Sequence, residues 1–110
     1  MKKLILLITL MVGSLAFGQE DVPYEMFGVW LNGDGEALQI TRDGDNVNFI
    51  RRSATTILAT GTIKAVDGEL HVIRRDKQDQ YSLAYFVGNE TMVIYKPREK
   101  KRAWLWTRIQ

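Results

Sequence analysis

The chain has 110 residues, 45% of them apolar and 25% charged, with no cysteine, one histidine and two prolines. A length of this order holds one small domain, and the composition excludes a disulfide scaffold, a cysteine-based zinc or iron–sulfur site and a low-complexity chain. The formal charge is +2, but Lys2 and Lys3 are the only charges in the first segment, so the remainder is about neutral and gives no reason to expect nucleic acid as a partner.

The first segment reads as an address. Met1-Lys2-Lys3 is cationic, and Leu4 to Val12 is apolar except for Thr9. That run is shorter than the roughly 20 residues a membrane helix needs. It matches a secretory signal peptide over residues 1–18, with cleavage expected after Ala16-Phe17-Gly18. Ser14-Leu15-Ala16 offers a second site. No cysteine follows, which excludes the lipid-modified type of signal. The expectation is an exported chain, periplasmic or extracellular and soluble after cleavage, with one domain over residues 19–110.

From there the chain reads as short strands. Turn signals recur at Asn32 to Gly35, Asp43 to Asn46, Asp67-Gly68, Lys77 to Gln80, Gly88-Asn89 and Pro97 to Lys101. Asp-Gly and Gly-Asn pairs suit tight hairpins because both residue types tolerate positive φ. Between the turns lie eight segments rich in β-branched and aromatic residues: 27–31, 36–42, 47–52, 56–66, 69–75, 81–87, 91–96 and 103–109. Several alternate apolar and polar positions, as Leu38 and Ile40 do against Gln39 and Thr41, which places one face inside and one in water. Gly61, in the middle of the longest segment, marks an expected bulge or bend. No stretch after Gly18 keeps a helical stripe for three turns, although residues 23–27 suit one short turn. The predicted fold class is all-β: an eight-stranded antiparallel up-and-down barrel, since closure removes the sheet edges.

The two ends of this chain carry a resemblance. Phe27-Gly28-Val29-Trp30 opens the first strand, and Trp104-Leu105-Trp106-Thr107-Arg108 makes the last. This resembles the lipocalin and fatty-acid-binding superfamily, and in particular the shortened lipocalin-like domains of exported bacterial proteins. The resemblance implies a calycin-type barrel in which Gly28 and Trp30 form the opening motif and Arg108 packs across Trp30. A guanidinium over an indole gains about 0.5–2 kcal/mol, and its donors can satisfy carbonyls at the barrel end. The chain is much shorter than a typical lipocalin and lacks its disulfide.

Little in the sequence points to catalysis. His71 lies between Leu70 and Val72 and reads as an outward strand histidine, and neither Ser53 nor Ser82 sits in a nucleophile elbow. The acidic residues fall mainly in turns, and the Asn32–Glu36 and Asp43–Asn46 segments are better hairpin turns than calcium loops. The expectation is therefore a protein that is not an enzyme, with no metal and no cofactor.

Two binding readings remain. In the first, the barrel carries a small apolar or amphipathic ligand. Ala59, Gly61 and Ala65 supply a face of small side chains, Tyr81 and Tyr85 share a face of the sixth strand, and Arg51 and Arg74 hold a ligand carboxylate if they turn inward. In the second, the rim contacts an anionic envelope surface or a partner protein. Residues 96–102 hold five basic side chains and one acidic. Lys96, Arg98, Lys100, Lys101 and Arg102 are expected on a long hairpin tip, with attraction of about 1 kcal/mol per basic residue near a charged surface.

Overall fold

The computed structural model describes residues 21–110. The signal segment expected over residues 1–18 lies outside the described residues. A single 3-10 turn, Tyr24–Met26, precedes eight strands: β1 (Gly28–Leu31), β2 (Ala37–Asp43), β3 (Asn46–Arg52), β4 (Ile57–Val66), β5 (Glu69–Arg74), β6 (Ser82–Phe86), β7 (Thr91–Lys96) and β8 (Glu99–Arg108). Each strand pairs antiparallel with its sequence neighbours, and β1 pairs with β8 to close the barrel. The architecture is all-β and up-and-down, and it is compatible with a calycin-like fold.

Alternation sets the inside. Leu38, Ile40, Val47, Phe49, Ile63, Val72, Met92, Ile94 and Trp106 are buried around Trp30, which has no exposed surface. The interior is packed with side chains, as an eight-stranded barrel of this width allows. Trp106 is the less satisfied of the buried indoles. Its Nε1 finds no hydrogen-bond partner, whereas Trp30 Nε1 donates to the Met26 carbonyl at 3.0 Å.

Gly61 does not mark a bulge. It pairs regularly with Phe49 on one side and Arg74 on the other. The register shift between β3 and β4 falls instead between Arg51 and Arg52, which face Ala59 and Ile57. Glycine is required at 61 because a Cβ there would lie 2.6 Å from the Phe49 ring and closer still to the Ile73 carbonyl. The small face of Ala59 and Gly61 therefore admits Phe49 rather than a ligand.

The basic segment also differs from expectation. It is not a long tip: β7 runs to Lys96, β8 starts at Glu99, and only Pro97 and Arg98 lie between them. Lys96 pairs with Glu99 while Tyr95 pairs with Ala103, so the extra residues are taken up in a register shift on β8. An irregularity of this kind widens and twists a strand end without ending the strand.

Candidate binding site at the open end

The two ends of the barrel are built differently. At the end where β1 starts, the segment before it folds over the core, burying Val22 and Met26. Arg108 stacks over Trp30 with its guanidinium carbon 4.3 Å from the ring centroid. Its Nη1 donates to the Phe27 carbonyl at 2.8 Å and its Nη2 to the Glu25 carbonyl. Gly28 has φ of +131°, and a Cβ there would strike the Gln110 carbonyl and the Arg108 guanidinium. Gly28, Trp30 and Arg108 thus form one unit that seals this end and joins the first and last strands.

The other end is open. Arg51 and Arg74 occupy the inward register, opposite Ala59 and Gly61, while the neighbouring Arg52 and Arg75 are exposed. Inward arginines are tolerated there because they sit at the rim with carboxylates beside them. Arg51 Nε lies 3.6 Å from Glu36 Oε1. Arg74 is forked on Asp76, with its Nε and Nη2 donating at 2.9 and 2.7 Å. That fork holds the Asp76 carboxyl below its ordinary pKa, chiefly by hydrogen bonding.

Between the β5–β6 loop and the β7–β8 turn lies a recess of about 210 Å³. Val72, Tyr81 and Pro97 give it apolar lining. Arg74, Lys77, Lys96 and Arg98 supply cations, against the carboxylates of Asp79 and Glu99. Glu99 is drawn towards Arg102, 3.7 Å away. Among the described residues, no carboxylate comes within ion-pair distance of Lys77, Lys96 or Arg98. The recess has the character of a small amphipathic site: one apolar flank, and three cations, Lys77, Lys96 and Arg98, with no ion-pair partner among the described residues beside an Arg74 already held by Asp76.

Of the candidate ligand residues, Arg74 and Tyr81 meet at this recess. Arg51 lies elsewhere on the rim, and Ala59 and Gly61 are filled by packing. Tyr85 is not in the interior. Ser82, Ala84 and Phe86 take the inward register on β6, leaving Tyr85 half-exposed on the outer wall and Tyr81 stacked on His71 at 4.1 Å. The barrel already holds Trp30, Phe49 and Trp106, so only a small Ala84 fits opposite Ile94 and Leu70. Of the basic segment, Lys96 and Arg98 line the recess and Arg102 is exposed beside it. The side chains of Lys100 and Lys101 lie outside the described set. Lys77, Ser82 and Pro97 are not marked as site residues by the sequence, because only the β6–β7 pairing, Leu83 against Tyr95, brings their two loops together. Among the described residues, no three His, Asp or Glu side chains are placed to hold a metal ion, and no helix is long and apolar enough to cross a membrane.

The fold and the site define a closed antiparallel barrel, compatible with a calycin-like fold, with one sealed end and one basic, open end. No protein family, curated protein or solved structure matches this chain.

Proposed function

We propose that the protein is an exported, non-catalytic binding protein of lipocalin-like type, which holds a small ligand with an apolar body and an anionic head at its open end. The observation that carries this reading is the recess: three unpaired cations beside Val72, Tyr81 and Pro97. The barrel interior is filled by side chains and the recess holds about 210 Å³, so the ligand is smaller than those filling the 300–1,000 Å³ pockets that are usual for drug-sized molecules. Isothermal titration with octanesulfonate, octanol and octylamine tests it. Octanesulfonate should bind, more weakly as salt rises, and Lys96→Ala with Arg98→Ala should abolish binding. Equal binding of the amine, or no binding of the sulfonate, overturns the reading.

A second reading has its own observation. Segments 51–52, 74–77 and 96–102 bring ten Lys and Arg residues to the open end, whereas Arg42, Lys64 and Arg108 are the other basic residues of the barrel. A neutral chain with its charge separated in this way would dock end-on to an anionic envelope surface or partner protein. Cosedimentation with anionic vesicles at low salt, lost on Lys100→Ser, Lys101→Ser and Arg102→Ser together, would support it. Equal affinity for neutral vesicles would remove it.

A further inference from the structure

The outer wall of a small barrel should be polar, and on one side it is. Outward positions on β2, β3 and β4 form rows such as Thr41–Asn48–Thr62 and Gln39–Ile50–Thr60. The wall of β6, β7 and β8 breaks this rule. Tyr85, Val93 and Leu105 align in one row across the three strands, and Leu83, Tyr95 and Ala103 in the next. Leu105 is 57% exposed, Val87 52% and Tyr85 50%. Tyr85 and Tyr95 meet edge to face at 5.9 Å, which holds both rings against the sheet. The bare apolar surface of this wall is on the order of 500 Å², a size at which patches mark contact sites.

The edges of the wall say what covers it. At the open end it is bordered by Lys96, Arg98 and Arg102; at the sealed end by Asp67, Glu69 and Glu90. The base at the sealed edge, Arg108, is already engaged by Trp30, by two carbonyls and by Glu90, whose Oε2 lies 3.6 Å from its Nε, so Asp67 and Glu69 carry the rest of that edge's negative charge. A flat anionic bilayer would meet the basic edge favourably but also the acidic one, which costs. A second copy of this chain meets both, provided that it runs the other way. A two-fold axis perpendicular to the barrel, through the Tyr85–Val93–Leu105 row, sets each basic edge against the partner's acidic edge. An axis parallel to the barrel would set like charges together. A standard interface takes about 800 Å² per partner, which the apolar rows and their charged borders together approach.

We propose that the protein forms an antiparallel homodimer through the β6–β8 wall, with Tyr85, Val93 and Leu105 at its centre and the charged edges selecting the orientation. Tyrosine suits such a centre because it gives a large contact at little entropic cost. The two open ends then point in opposite directions and stay accessible, so this inference is independent of what they bind.

Sedimentation velocity of the purified protein across concentration tests it. A dimer should be seen, dissociating more readily as salt rises. Leu105→Glu and Tyr85→Glu, both on exposed outward positions, should each weaken it at least about tenfold. Gln39→Glu on the polar wall should leave it unchanged. Reversing the basic edge alone (Lys96→Glu with Arg98→Glu) should weaken the dimer, and adding Glu69→Lys should restore it in part. A monomer at every concentration up to ~1 mM, the weak limit of specific association, overturns the proposal. So does a dimer indifferent to Leu105→Glu, or a monomer whose wall instead takes it to neutral vesicles. Failure of the second charge reversal to restore association overturns the antiparallel orientation. Leu105→Glu should leave octanesulfonate binding unchanged, so that variant separates the two readings; the Lys96 and Arg98 reversal removes both, because these residues also line the recess.

Discussion

The sealed and open ends of this barrel use the same side-chain type, arginine, for opposite purposes. At the sealed end Arg108 is fully engaged: an indole face below it, two main-chain carbonyls around it and the Glu90 carboxylate 3.6 Å from its Nε. At the open end Arg74 and Arg51 lean on single carboxylates at the rim, and Lys77, Lys96 and Arg98 have no partner among the described residues. A satisfied cation stabilises a fold, whereas an unsatisfied one costs little only where water reaches it and remains available to a ligand. The difference separates an end whose cation is spent on the fold from an end whose cations are free for the proposed ligand.

Substitutions should break that contrast unequally. The largest effect is expected for Trp30→Ala, which removes the centre of the core and the platform under Arg108. It should cost about 3–5 kcal/mol in urea denaturation. A loss under about 1 kcal/mol would show that the sealed end is not the stabilising one. Arg108→Ala comes next, at about 1–3 kcal/mol, through the lost cation–π contact and the unpaired Glu25 and Phe27 carbonyls. An unchanged melt would mean that the first and last strands are held by their ladder alone.

At the open end the same measurements should hardly move. Lys96→Ala and Arg98→Ala should each shift stability by less than about 0.5 kcal/mol, as surface changes usually do. They should nonetheless lower octanesulfonate affinity in calorimetry. A large stability loss would assign these cations to the fold rather than to a ligand.

The smallest effect is an acid titration. Arg74 holds Asp76, and Arg42 holds Asp21, below the ordinary carboxylate range, in both cases chiefly through a hydrogen bond. For a depressed carboxyl, the stabilisation is present above its unfolded pKa of about 3.9 and is lost as pH falls through the lower folded value. Both pairs are exposed, so the change in melting temperature should be slight. Carboxyl carbon shifts in NMR should show both midpoints below the ordinary aspartate value of about 3.9. Asp76→Asn should release Arg74 and raise octanesulfonate affinity modestly. An unaltered affinity would place Arg74 outside the binding face.

Much of the fold was legible because antiparallel strands write themselves in alternation and turn chemistry. Leu38 and Ile40 against Gln39 and Thr41, with Asp43-Gly44 and Asp67-Gly68 at the corners, already specify hairpins. The strands that misled were those with apolar residues on both faces. On β6, Tyr81, Leu83 and Tyr85 compete with Ala84 and Phe86, and a shift of one position exchanges the two sets. Alternation cannot break that tie.

By itself the sequence determined the class of fold and the eight strands, since these rest on local backbone preference, while the glycine, tryptophan and arginine that join the ends were implied by the resemblance of the two terminal strands to lipocalin-type barrels. Only the tertiary structure decided what faces inward on β6, why residue 61 must be glycine, and which side chains line the recess. Those depend on volume and on strand pairing. Phe49 needs the space that Gly61 leaves, a core already holding Trp30, Phe49 and Trp106 admits Ala84 but not Tyr85, and the recess exists because β6–β7 pairing brings the loop at 77–80 against the turn at 97–98. Contacts between segments so far apart in the chain follow from packing in three dimensions, which no local pattern encodes.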